Sequence, residues 1–387
     1  MRRARGYVPS PIYVQFSKTN KCIFGAGAEL KSTLSFTRNN SIFTSQHIGD
    51  LQNVATLTFY EECFEHMTHL LNLNPEIIIY DLHPNFLSSQ FAINLAKNKN
   101  LNSYKLQHHI SHASSVLAEN RYNDEALVLA LDGTGLGEDQ TIWGGELFYI
   151  CLNKAEWRRI GTLSSFKLAG LDMAIHQPWR IALNFQNNDA LPPLLPKDEI
   201  FKIDAILSML KTNTNCIDTS SCGRLFDAIS ARLLLCKEIS YEGQAAIKLE
   251  QAVDLDYLHY IEDNFFDEFP IKEQNDLYII DSKQIYENIC SYILKGLSTS
   301  KIAAYFHLLL ANCYAHISYL ASKKLNIKTI ALTGGVFQNS IFSFLVIKAL
   351  KRYKLNILTH KLLPPGDACI SFGQAAWGLA LLQNNKI

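Results

Sequence analysis

The chain has 387 residues, 48% of them apolar and 19% charged, with 36 basic side chains against 36 acidic ones and no formal net charge. At about 150 residues per domain this composition describes a core-forming globular chain of two or three domains, not a disordered or fibrous one. The even charge balance gives no global reason to hold nucleic acid or an anionic membrane, and no apolar run approaches the ~18 residues that a membrane-spanning helix needs.

The N-terminal run Met1-Arg2-Arg3-Ala4-Arg5-Gly6-Tyr7-Val8-Pro9 is basic without an apolar stretch behind it, so it is not a secretory signal. Residues 1–13 read as a tail belonging to something upstream. Pro75-Glu76-Ile77-Ile78-Ile79-Tyr80-Asp81 predicts a buried strand ending in a carboxylate. A polar break at 121–124 separates a first unit, 14–123, from a second, 124–387. Ala126-Leu127-Val128-Leu129-Ala130-Leu131-Asp132-Gly133 opens the second unit as another strand, and Lys328-Thr329-Ile330-Ala331-Leu332-Thr333-Gly334-Gly335 is a third. Strands apolar on both faces that end at a carboxylate or glycine turn point to an α/β sheet with a ligand-facing edge. About 197–300 reads as mostly helical, and 300–324 keeps helical spacing into the third strand. Nine scattered cysteines form no C-x-x-C pair, which places the chain in a reducing, cytoplasmic setting with neither a zinc knuckle nor a disulfide framework. None stands where sequence context would lower its pKa, and Cys222 and Cys369 are merely near candidate loops.

The densest chemistry lies in Gln107-His108-His109-Ile110-Ser111-His112. On a helix His108 and His112 share one face, where two imidazoles can meet one metal ion. Asp132 and Asp367 would complete a divalent site suited to zinc, iron or manganese. The alternative is that these histidines cap or line a helix without a metal. Asp132-Gly133-Thr134-Gly135-Leu136-Gly137 predicts a glycine turn after a strand, where backbone N–H groups approach phosphate. It lacks both the P-loop spelling and the dinucleotide fingerprint. Gly334-Gly335-Val336-Phe337-Gln338-Asn339 follows another strand, and the two loops together suggest one nucleotide held between two lobes. Thr219-Ser220-Ser221 can cap a helix on which Asp227 accepts from ribose hydroxyls or serves as a solvated or capping aspartate. No Gly-x-Ser-x-Gly elbow supports a serine hydrolase.

Eight segments in order carry a resemblance: Ser45-Gln46-His47-Ile48-Gly49-Asp50-Leu51, Asp81-Leu82-His83-Pro84, the run 107–112, Leu131-Asp132-Gly133-Thr134-Gly135, Trp143-Gly144-Gly145-Glu146, Gly223-Arg224-Leu225-Phe226-Asp227-Ala228, Tyr241-Glu242-Gly243-Gln244-Ala245-Ala246 and Gly334-Gly335-Val336-Phe337-Gln338-Asn339. Over about 14–380 the chain resembles the C-terminal half of the HypF family, the carbamoyltransferases that mature NiFe hydrogenases. The resemblance implies a two-lobed fold of the actin/Hsp70/sugar-kinase type, with a helical insertion in the second lobe. It implies a carbamoyl-adenylate, an ATP/AMP-type nucleotide, in the interlobe cleft. The carbamoyl group would pass to the C-terminal cysteine of a HypE-like acceptor, on the way to the cyanide ligands of the hydrogenase. It also implies His108, His112, Asp132 and Asp367 as metal ligands, the first three catalytic. Gly133, Thr134, Gly135, Gly144, Gly145, Gly223, Asp227, Gly243, Gly334, Gly335 and Asn339 are implied as nucleotide contacts.

The chain departs from the family at Ile110 (a histidine there), at Leu168-Ala169-Gly170-Leu171-Asp172 (a Pro-Gly-Gly-Asp stretch), at Ser340 (an arginine) and at Ala368-Cys369 (two glycines). The acylphosphatase-like, zinc-finger and YrdC-like domains that precede this region in the family are expected either on a separate polypeptide or lost with a broken gene, so only the transfer half-reaction is expected here. An O-carbamoyltransferase of the same fold and a non-catalytic remnant are the alternative readings.

Overall fold

The computed structural model describes residues 8, 10–16, 19–185, 191–263 and 268–387. Most of the expected upstream tail, residues 1–7 and 9, lies outside them. The first sheet has six strands in the order Ile12–Tyr13, Ser41–Thr44, Ser35–Arg38, Cys22–Gly25, Pro75–Asp81 and Asn102–Leu106. The three middle members run as an antiparallel meander, and the last two join Cys22–Gly25 in parallel. Pro75–Asp81 is the predicted strand, buried at six of its seven positions because both its faces are covered.

The second sheet repeats this plan. Its core order is Glu156–Leu163, Ile142–Cys151, Glu125–Leu136, Thr329–Thr333 and Asn356–Leu358, again three antiparallel strands followed by two parallel ones. Helices fill the same places in both units: Val54–Leu70, Leu87–Lys99 and His108–Glu119 in the first, Thr299–Leu325, Ser340–Arg352 and Ile370–Gln383 in the second. Two such copies facing one another make the two-lobed actin/Hsp70/sugar-kinase fold. The segment 197–300 holds helices Ile200–Thr212, Cys222–Arg232, Gln244–Gln251, Leu255–Asp263 and Ser282–Leu294. It also holds three short strands, Cys216–Thr219, Ile271–Gln274 and Leu277–Ile280, that extend the second sheet. No helix among the described residues is long and apolar enough to cross a membrane.

The last helix of each unit crosses to the other unit. His108–Glu119 packs against Glu125–Leu136 and Thr329–Thr333, while Ile370–Gln383 packs against the first sheet and against His108–Glu119 itself. Small residues allow this. Ile370–Gln383 is buried all round from Ile370 to Ala380, and a Cβ at Gly373 would collide with the carbonyl oxygen of Ser111. Gly373→Val is therefore expected to force two helices apart and cost about 1–3 kcal/mol or more. Urea denaturation would check this, and a midpoint equal to wild type would refute it.

A candidate metal centre in the interlobe cleft

Gln107 caps the helix His108–Glu119, its side chain accepting from the Ile110 N–H. The cap aims the first turn at the cleft, and the four-residue spacing then sets His108 and His112 side by side. Asp132 reaches the same point from the strand Glu125–Leu136, and Asp367 from the 3-10 turn Asp367–Cys369. One donor atom from each of the four lies within 4.8 Å of all the others. Nε2 of His112 is 3.4 Å from Asp132 Oδ2 and 3.7 Å from Asp367 Oδ1; for His108 Nε2 these distances are 3.5 and 4.0 Å. Ligands on a tetrahedral ion with bonds of about 2.1 Å stand roughly 3.4 Å apart, so little movement is needed to bind one.

Both Nε2 atoms are buried without a hydrogen-bond partner, and an orphaned buried nitrogen is costly unless something occupies it. The electrostatics agree. Burial opposes charge on His108, yet Asp81, Asp132 and Asp367 outweigh it and push its pKa up to about 10. His112 is likewise raised against its burial, by Cys369, Asp132 and Asp367. Burial would raise the Asp132 carboxyl, but the two imidazoles hold it well below its usual value. A pocket that demands positive charge this strongly can be satisfied by two protons or by one divalent cation. The four side chains fit a cation of that kind.

Three further residues support the ligands and are invisible to spacing. Asp81, at the end of its strand, accepts from His108 Nδ1 at 2.8 Å and so directs Nε2 into the site. Cys369 Sγ and Thr333 Oγ1 each lie 3.3 Å from His112 Nδ1. Cys369 departs from what its sequence context predicts. Burial would raise the Cys369 thiol, but His112 and His360 bring it down to about 6. Those neighbours come from distant segments, so local context could not show the effect. Glu119 accepts from His360 Nδ1 at 2.8 Å and from the backbone N–H groups of Lys361, Leu362 and Leu363, anchoring the segment that leads to Asp367. His109 turns away, toward Phe148 and Gly135, and Ile110 lies in the core.

The glycine loops behave differently from expectation. Gly133–Gly137 is not a turn: the strand runs on to Leu136 after a register break between Leu131 and Gly135, and the reversal comes at 137–141. Pairing of Gly135 with Trp143 and Leu136 with Ile142 continues the ladder and wins over the glycine-rich composition. Thr134 is exposed, and Gly135 leaves room for the His109 ring. Gly144 and Gly145 let their strand pass close to Asp132, Ser220 and Ser221. Buried Glu146 accepts from both glycine N–H groups and from Ser220 Oγ, which fixes the start of the helix Cys222–Arg232.

Gly223 packs on Gly133, and Asp227 pairs with Arg224 one turn further along. Gly334, with φ of 102°, lies on the Leu131 carbonyl and donates to Pro365, while Gly335 N–H donates to Asp132 Oδ1 at 3.0 Å. Asn339 caps the helix Ser340–Arg352 and touches His307, so its amide is already engaged. Ser340 donates to Glu250. Gly243, with φ of 76°, opens the helix Gln244–Gln251. Beside it, Glu242 forms an ion pair with Lys31 of the first lobe at 2.7 Å. Asp132, Gly133, Gly223, Gly335 and Asp367 thus converge, while Gly243 and Asn339 stand apart from them.

Comparison with known proteins agrees with this fold. Residues 128–374 match the family described as carbamoyltransferase, Kae1-like domain, second subdomain, and residues 18–119 match the HypF Kae1-like domain. The chain is 31% identical over 392 residues to the probable carbamoyltransferase HypF of Methanocaldococcus jannaschii, covering 100% of this chain and 49% of that one. A carbamoyltransferase HypF homolog from Cupriavidus necator is 32% identical over 365 residues, covering 91% of this chain and 90% of the other. The crystal structure of full-length HypF in a phosphate- and nucleotide-bound form superimposes with a TM-score of 0.90 at 32% identity, over 99% of this chain and 59% of that one. The chain therefore spans about half the length of the first relative and nearly all of the second.

Proposed function

Because the chain belongs to the HypF carbamoyltransferase family, we propose that it transfers a carbamoyl group from carbamoyl-adenylate to the C-terminal cysteine of a HypE-like acceptor, toward the cyanide ligands of NiFe hydrogenase. The carrying observation is the pair of orphaned imidazole nitrogens, His108 Nε2 and His112 Nε2, facing Asp132 and Asp367 at the cleft. His108, His112, Asp132 and Asp367 would hold a zinc or iron ion, which supplies Lewis acidity to the carbonyl and phosphate oxygens.

The donor is a mixed anhydride and already activated, so positioning and charge stabilisation are the main tasks left to the protein. Asp81 and Cys369 keep the imidazoles aimed, and the Gly335 N–H holds the Asp132 carboxylate in place. The acceptor thiolate would attack the carbamoyl carbon, forming the C–S bond. The bond from that carbon to the phosphate oxygen breaks, and AMP leaves with the electron pair. The nucleophile arrives on the acceptor protein, consistent with Cys369 being fully buried here.

The test combines the purified chain, the acceptor, divalent metal and carbamoyl-adenylate made by a separate YrdC-like protein. The expected result is an acceptor heavier by one carbamoyl group, dependent on this chain and on metal. No gain, with a full-length homologue working in parallel, would sink the proposal.

A further inference from the structure

Two largely buried helices, His108–Glu119 and Ile370–Gln383, tie the lobes together, and one further link between them is exposed. Lys31 Nζ of the first lobe stands 2.7 Å from Glu242 Oε1 of the second, with side chains 36% and 58% exposed. Among the described residues no other lysine or arginine forms an ion pair between 14–123 and 124–387. The Lys31 end is firmly placed. Its φ of 49° lies in the left-handed region that favours glycine, so a side chain is kept there against backbone strain. Glu29 accepts from the Leu87 N–H at 2.6 Å, and the Ser32 N–H donates to the Gly49 carbonyl. Thr33 Oγ1 donates to the Ala368 carbonyl and meets Ser371 Oγ at 2.7 Å, which fastens the loop to the turn carrying Asp367. The Glu242 end is looser. It lies on the turn before the helix Gln244–Gln251, where a Cβ on Gly243 would meet nothing within 4 Å.

This link stands beside the four ligands. Asp367 is the most exposed of them, its side chain 18% accessible against 10% for Asp132 and 1% or less for the histidines, so solvent reaches the site from its side. Lys31 occupies that side. Burial opposes charge on its ammonium, but Asp367, Glu242 and Asp132 outweigh it and raise the pKa, as nearby carboxylates do. Two-lobed folds open and close about hinges, and an exposed ion pair is weak enough to break during that motion. We propose that Lys31 and Glu242 form a clasp across the mouth of the interlobe cleft, gating the passage of the divalent ion to and from His108, His112, Asp132 and Asp367. The clasp presupposes the metal centre proposed above and adds to it the control of how the ion enters and leaves.

The test follows the rate of zinc uptake by the metal-free full chain and the rate of zinc release to a chelator. Glu242→Gln and Lys31→Gln each remove the clasp, and an exposed pair of this kind is expected to hold back opening about 2–5-fold. A gate changes uptake and release by the same factor, so the product of the two rates should rise about 4–25-fold in each variant. Removing a charge near the site acts differently. It shifts affinity, moving uptake and release in opposite senses and leaving their product nearly unchanged. Exchanging the charges, Lys31→Glu with Glu242→Lys, rebuilds the pair in reverse. That double variant is expected to return the product to within about twofold of wild type.

A product unchanged in either single variant overturns the clasp while leaving the metal centre standing. A product that stays high in the exchanged pair does the same, because the effect then belongs to the separate side chains and not to their contact. Wild type that takes up no zinc overturns the metal centre itself, and the clasp falls with it. Zinc uptake by wild type and the rates of the variants thus separate the two failures.

Discussion

Asp132→Ala and His112→Ala are each expected to abolish metal binding while leaving the fold intact. Each removes one donor from a four-ligand set, and of the two ligand carboxylates Asp132 lies closer to both Nε2 atoms. The loss should exceed the roughly 10–100-fold reduction that follows from removing a supporting partner, so Asp81→Ala provides the scale. Asp81 touches only His108 Nδ1 among the proposed ligands, and its replacement should weaken metal without eliminating it. Asp132→Ala removes the Gly335 hydrogen bond, about 1 kcal/mol, and one partner of the two buried imidazoles. The fold should persist because Asp81 and Asp367 still face those imidazoles, so the loss stays below the about 3–5 kcal/mol of a wholly uncompensated buried charge. Elemental analysis of the purified variants and their melting curves decide the matter. Full metal content in either variant would mean that the ligands are assigned wrongly.

Glu119→Ala is expected to produce the largest stability loss. Its side chain is 1% exposed and joins the end of one lobe's crossing helix to His360 and to the backbone N–H groups of Lys361, Leu362 and Leu363. Removing one member of a buried ion pair leaves the other uncompensated, at about 3–5 kcal/mol. The effect should depend on pH. Burial disfavours charge on His360, but Cys369 and Glu119 outweigh it and push its pKa from the usual 6.5 up to about 9.

A raised histidine contributes stability that is complete below 6.5 and lost as pH rises through about 9. Burial likewise disfavours charge on Glu119, yet His360 and the backbone donors lower its pKa, so its contribution is present above the usual 4.5 and lost in acid. The gap between wild type and variant should therefore be widest near pH 5–6.5, narrowing toward pH 9 and again at low pH. Guanidinium unfolding across this range would measure it, and a gap that stayed constant would exclude the ion pair as its source.

Local pattern and distant packing contributed differently to this protein. The apolar strand Pro75–Asp81, the i,i+4 pair His108 and His112, and the glycine pair 334–335 at a strand end were legible in sequence. Each depends on a short-range periodicity or on residue types within one turn. The order of eight motifs carried the family and the two-lobed plan. Only tertiary structure could decide what supports the ligands, because Asp81 and His108 are 27 residues apart, Glu119 and His360 are 241, and His112 and Cys369 are 257.

The same separation explains the corrections. The stretch 133–136 has turn composition, but strand pairing with 142–143 holds it extended. A lowered thiol at Cys369 needs two imidazoles that no neighbouring residue supplies. The exchange of the two terminal helices between sheets follows from small residues such as Gly373, which make sense only once the opposing Ser111 backbone is known. Sequence by itself determined which residues could ligate a metal ion and which stretches would form the core strands. Folding determined that the ligands meet and which groups hold them.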